Sequence, residues 1–74
     1  MADDVTPPYR LPLRVKRAGE SYQIVDAAGR SIYIYFEDDE TRRSAMQRWT
    51  SAEAETLAKQ IARALTDNQE RDAG

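Results

Sequence analysis

The side chains best suited to chemistry on a partner are aromatic and basic. Tyr33 and Tyr35 stand two apart, and so do Arg14 and Lys16. In an extended chain, residues two apart share a face. Each pair then presents a matched set: rings that stack on a planar group, and cations that neutralise phosphate. Arg42 and Arg43, followed by Arg48, form a second basic group able to grip a phosphate. Each set has a plainer reading. Tyrosines and cations on a sheet surface make ordinary cross-strand pairs, here with Gln23. Arg42 and Arg43 follow the acidic run Glu37-Asp38-Asp39-Glu40, which can neutralise them. That run could itself hold a divalent cation, but it lacks the alternating carboxylates and glycine of a calcium loop. Acids opening a helix, where the macrodipole favours them, are the simpler account. No metal and no cofactor is expected.

The chain contains neither His nor Cys. It therefore lacks the commonest neutral-pH acid–base group, the thiolate nucleophile and the usual zinc ligands. It has no glycine-rich phosphate loop and no nucleophile elbow, and its Ser and Lys residues form no recognisable catalytic pair. It is read as a protein without enzymatic activity. A net charge of −2 gives no global attraction to nucleic acid. Residues 5–19, however, carry Arg10, Arg14, Lys16 and Arg17 and no acid, which leaves room for a local basic face. The function expected is a small interaction module that binds a protein partner or a second copy of itself. The alternative is a nucleic-acid accessory protein using the basic and aromatic face. Trp49 is a candidate interface anchor, but so few large side chains are available that it is read as core.

These side chains need a scaffold, and 74 residues, 41% of them hydrophobic, allow one small domain. The longest apolar run, Ile32-Tyr33-Ile34-Tyr35-Phe36, is strand length and far short of a membrane span. Residues 1–8 read as a flexible arm rather than a signal peptide. Residues 67–74 read as a flexible tail, and the domain as residues 9–66 of a cytoplasmic protein. Three runs alternate with period two and predict strands over 13–17, 20–26 and 30–36. Asp26-Ala27-Ala28-Gly29 suits a type I turn followed by a positive-φ glycine, the three-residue hairpin loop with a bulge. That loop sets Ile24 opposite Ile32 and Tyr22 opposite Ile34. A four-residue loop, 17–20, would set Val15 opposite Tyr22 and Leu13 opposite Ile24. The same phase asks Pro12 for an N–H it lacks, so pairing should begin near Leu13.

Thr50-Ser51-Ala52-Glu53 is a capping box. Ala54, Leu57, Ala58, Ile61, Ala62 and Leu65 follow on one helical face. They predict a helix over 51–66 that packs Leu57, Ile61 and Leu65 on Leu13, Val15, Tyr22, Ile24, Ile32 and Ile34. Residues 38–48 are ambiguous between a short helix capped by Asp38 or Asp39, with Met46 and Trp49 on its buried side, and a loop closed by Trp49 packing against the main helix; the short helix is preferred. The fold class is therefore α+β: a three-stranded antiparallel meander on one C-terminal amphipathic helix, with a possible short helix between them. In such a meander the third strand is an uncharged edge that needs a cover. Residues 38–49 folding back are preferred for that role over a partner strand.

Tyr22-x-Ile24-x-Asp26-Ala27-x-Gly29-Arg30, Tyr33-x-Tyr35-Phe36, Arg42-Arg43, Thr50-x-x-Glu53-Ala54 and Ile61-Ala62 together resemble short uncharacterised proteins of alphaproteobacteria. The resemblance spans residues 20–64 and implies a bacterial cytoplasmic protein. It carries over no catalytic or ligand residue, and Trp49 stands where it leads one to expect a smaller aliphatic.

Overall fold

The computed structural model describes residues 7–73. Strands β1 (Arg14–Ala18), β2 (Ser21–Val25) and β3 (Ser31–Tyr35) form an antiparallel sheet in the order β1-β2-β3. A short helix α1 (Glu40–Met46) follows, then a long helix α2 (Ser51–Ala73). The α+β meander read from the periodicities is the architecture found. Residues 1–6 of the expected arm lie outside the described residues.

The β2–β3 hairpin follows its turn chemistry. Gly29 takes φ 91°, its N–H donates to the Asp26 carbonyl at 3.0 Å, and Asp26 N–H donates to the Arg30 carbonyl at 2.9 Å. The register is Ile24 opposite Ile32 and Tyr22 opposite Ile34, as the loop predicts. The β1–β2 hairpin differs from expectation. Its loop is Gly19-Glu20 alone, and Val15 pairs with Ile24 and Arg17 with Tyr22. Gly19 adopts φ 59° while Glu20 keeps a negative φ, the φ signature of a type II′ turn. A Gly at the first loop position makes the tight turn cheaper than the four-residue loop. The shift is two residues, so every side chain keeps its expected face. Leu13 falls outside the strand. The Ala27 N–H, which would have faced Pro12, donates to the Arg10 carbonyl at 2.9 Å.

Helix α2 opens on the capping box. Glu53 N–H donates to Thr50 Oγ1 at 3.1 Å, and Thr50 N–H to Glu53 Oε1 at 3.0 Å. The adjacent Ser51 N–H donates to Asp38 Oδ1 at 2.8 Å. The helix lies chiefly over β2. Ala54 and Ala58 are wholly buried there, and their small side chains let the backbone approach the sheet closely. Among the described residues the buried hydrophobic set is Ile24, Val25, Phe36, Ala54 and Ala58. Leu57, Ile61 and Leu65 are only partly buried. Ile32, expected in the core, is 47% exposed. It sits on an edge strand and lines an open hollow with Tyr9, Leu13 and Leu65.

The helix also runs past the expected end at 66. Residues 67–73 contain neither Gly nor Pro to stop it. Its 23 residues reach about 35 Å, while the five-residue strands cover about 17 Å. The overhanging part holds the entering chain instead. The Tyr9 hydroxyl donates to the Leu65 carbonyl at 2.7 Å, and Gln69 Nε2 donates to the Tyr9 carbonyl at 3.1 Å. A stretch expected as tail is thus helix with a tertiary contact.

Candidate interaction surface

Arg14, Lys16, Gln23, Tyr33 and Tyr35 emerge on the sheet face opposite α2. Cross-strand pairing sets Lys16 beside Gln23 and Gln23 beside Tyr33, one row across all three strands. Arg14 lies one row away, beside the buried Val25. The Tyr33 and Tyr35 rings stack on each other, centroids 6.1 Å apart and planes 16° apart. Lys16 stands two strands from Tyr33, about 10 Å at the usual strand spacing. The structure thus gathers four of the six candidate residues on one surface.

Arg42 and Arg43 are elsewhere. Arg42 Nη2 donates to both carboxylate oxygens of Glu37 at 3.1 Å. Arg43 Nη1 donates to the Glu37 and Asp38 carbonyls at 3.2 and 3.1 Å. Their task is to lash α1 to the end of β3. The acidic run is equally occupied. Asp39 caps α1 by accepting from Arg42 N–H at 3.0 Å. Asp38 caps α2. Hydrogen bonds from Ser51, first from its backbone, hold the Asp38 carboxyl below the usual range, with Arg17 and Arg43 assisting against burial. Among the described residues no group of three or more acids is placed to hold a metal ion.

The cation that joins the tyrosines is Arg48. Its guanidinium carbon lies 5.1 Å from the Tyr35 ring centroid, and Nη1 forms an ion pair with Glu20. Sequence spacing groups Arg48 with Arg42 and Arg43, but the end of α1 redirects it. Gln47 adopts the left-handed conformation, and Arg48 N–H donates back to the Arg43 carbonyl at 3.1 Å. The chain then returns to the sheet, where Trp49 forms a parallel bridge with Phe36.

That return also corrects two expectations. Met46 and Trp49 are 49% and 50% exposed, and α1 buries no residue. Caps and arginine contacts hold α1 in place, so its apolar side chains are not needed for packing. Cover of the β3 edge is also incomplete. Glu37 N–H donates to the Trp49 carbonyl at 2.8 Å, and the parallel bridge turns the Trp49 N–H toward the Tyr35 carbonyl, so the fold-back covers the edge up to Tyr35 and leaves Ser31 and Tyr33 open. Phe36 and Arg30 mark the bonding phase of β3: Phe36 N–H donates to the Glu20 carbonyl, and the Arg30 carbonyl accepts from Asp26. Ile32 and Ile34 therefore bond to β2, while Ser31, Tyr33 and Tyr35 aim their backbone groups outward. Among the described residues nothing accepts from the outward N–H groups of these three residues. Residues 33–35 and 46–49 form the two sides of a groove along this edge.

Two buried supports hold the surface in place. Asp26, 3% exposed, accepts from Ala28 and Arg30 N–H on Oδ1 at 3.0 and 2.9 Å. Its Oδ2 accepts from Arg10 N–H and the Arg30 guanidinium, both at 3.0 Å. Burial alone would raise its pKa. The Arg10 and Arg30 hydrogen bonds outweigh burial and lower it from 3.8 to about 2. On the helix side, Arg17 covers the Phe36 and Tyr22 rings at 4.8 and 5.9 Å. Glu55 is held below its usual range by Lys59, with the Tyr22 hydroxyl and Arg17 adding to the effect. Sequence spacing marks Asp26 only as a turn residue. The Arg10 contact, sixteen residues upstream, had no local signal.

Comparison with family models, with curated proteins and with solved structures returned no match. Among the described residues no helix is long and apolar enough to cross a membrane.

Proposed function

We propose that this chain is a small bacterial cytoplasmic protein-interaction module without catalysis of its own, and that its binding element is the open edge of β3. One observation carries this. Among the described residues, the large hydrophobic side chains that stay exposed, Ile32, Tyr33, Tyr35, Met46 and Trp49, all lie on β3 or beside it. Clustered exposed apolar groups mark interaction surfaces, whereas scattered ones do not. Here they flank outward backbone groups able to hydrogen-bond an added strand, the mode in which main-chain bonds give affinity and flanking side chains give specificity. The test is a photo-crosslinking amino acid at position 33 in living cells, compared with one at exposed Arg63 on α2. Discrete protein adducts at position 33 and none at 63 are expected. Equal patterns at both positions would refute the assignment of the edge.

A second reading is favoured by a separate observation, the row of Lys16, Gln23 and Tyr33 with Arg14 and Arg48 around it. It is binding of single-stranded nucleic acid across the sheet face. Tyr33 and Tyr35 already stack on each other, and the chain is net acidic, so the protein partner is preferred. Titration of labelled single strands at low salt decides. Binding that weakens steeply with salt and is lost in Tyr35→Ala supports the nucleic-acid reading.

A further inference from the structure

We infer that the strand added to the β3 edge is β3 of a second copy, antiparallel and centred on Tyr33. This rests on the edge being the binding element and names its occupant. The outward groups belong to Ser31, Tyr33 and Tyr35. An antiparallel two-fold pairing must place outward residues opposite one another. Centring on Tyr33 matches all three: Tyr33 with the partner's Tyr33, and Ser31 with the partner's Tyr35 in both directions, Tyr35 through its N–H, since its carbonyl faces Trp49. Centring on Ile32 or Ile34 leaves one of them unmatched. In this register the partner's Arg30 falls opposite Phe36, where Trp49 closes the edge, so the partner's chain must leave the edge at Arg30, where its hairpin loop begins, and pairing stops within β3.

Side chains and charges agree with this register. On the helix side, half-exposed Ile32 meets the partner's Ile34. On the other side the tyrosines form a continuous ladder, the kind of cross-strand aromatic contact that stabilises sheets. The strand itself is uncharged, with Arg30 before it and Glu37 and Asp38 after it. Antiparallel pairing lays the basic end of each strand beside the acidic end of the other, whereas parallel pairing would set like beside like. A two-fold contact of this type is closed. It uses up the β3 edge of each copy in one six-stranded sheet with a β1 strand at either end, and this contact cannot itself grow into a fibre.

The test is sedimentation of the full chain from micromolar to millimolar concentration, with Tyr33→Lys and Tyr33→Glu made in parallel. Tyr33 is 51% exposed, and unchanged far-UV circular dichroism verifies that both variants fold. Wild type should dimerise. Each variant alone should associate about tenfold or more weakly, because like charges face each other at the axis. An equimolar mixture should recover dimer as a Lys–Glu heterodimer, less so at high salt. A wild type that stays monomeric at millimolar concentration overturns the self-pairing. If position 33 then still crosslinks a foreign protein, the edge-binding function stands with a different occupant. If it crosslinks nothing, both fail. A wild-type dimer whose variants also dimerise unaided, or whose mixture shows no recovery, places the interface elsewhere and overturns the register.

Discussion

Replacing Ile24 by Ala should remove most of the stability of this domain, while the same change at Ile61 should not. Ile24 is 2% exposed, on the central strand, paired with Val15 on one side and Ile32 on the other. Truncation removes Cγ1, Cγ2 and Cδ1, at ~0.8 kcal/mol per buried carbon, or about 2.4 kcal/mol. The cavity left between sheet and helix raises this to about 3–4 kcal/mol. A core of this size supplies roughly 3–5 kcal/mol in all, so Ile24→Ala should be largely unfolded at room temperature. Ile61 is only partly buried. Its loss should cost roughly half the transfer term with little cavity, about 1 kcal/mol, and Ala recovers a few tenths through its better helix propensity, by about 0.4 kcal/mol. Urea unfolding followed by far-UV circular dichroism measures both. Ile24→Val, expected to cost about 1 kcal/mol, keeps the Ile24 site measurable if the Ala variant does not fold. If Ile61→Ala proves as damaging as Ile24→Ala, the helix stripe and not the central strand carries the core.

Asp26→Asn should flatten the acid limb of the stability curve. The folded pKa, about 2, lies below the unfolded value of 3.8, so this carboxylate contributes stability above pH 3.8 that is lost as pH falls toward 2. Urea midpoints from neutral pH down to that range should drop less steeply in the variant, from a lower plateau. An unchanged acid limb would show that Asp38 and Glu55, also held low, account for all of it. Thr50→Ala and Glu53→Ala should each cost about 1 kcal/mol and combine less than additively, because each bonds the other's backbone. Fully additive losses in urea unfolding would mean the reciprocal box is not formed.

What could be read from the sequence divides by range. The β2–β3 register was legible because Asp26 and Gly29 specify one loop type. The start of α2 was legible because Thr50 and Glu53 satisfy each other. The β1–β2 register turned on which residues close the loop, and Gly19 fits either loop until its φ is known. Residues 67–73 look like a tail, since nothing in their pattern announces the distant Tyr9. The candidate surface was legible where alternation alone assigns a face, at Arg14, Lys16, Tyr33 and Tyr35. Arg42 and Arg43 lie off that face, held by Glu37 and Asp38 of the acidic run just before them, the plainer of the two readings their spacing allowed. Arg48 and Trp49 depend on the left-handed Gln47, a conformation with no strong sequence signal outside Gly and Asn.

The division between buried and exposed apolar side chains has a thermodynamic consequence. Among the described residues, two of the five buried hydrophobic ones are alanines, while Ile32, Tyr33, Tyr35, Met46 and Trp49 remain about half exposed. Apolar area that could still be buried to stabilise this chain therefore lies along the β3 edge. A partner strand that covers it binds the folded state alone, and at a hundred times its dissociation constant adds about 2.7 kcal/mol. That is comparable with the roughly 3–5 kcal/mol available from the isolated core. If the partner is a second copy, the thermal midpoint of the wild type should rise with protein concentration. The midpoint of Tyr33→Lys should not. Differential scanning calorimetry over a wide concentration range makes the comparison. A concentration-independent wild-type midpoint would mean that the edge adds nothing to stability through self-pairing, and that Ile24 and the two alanines support the fold unaided.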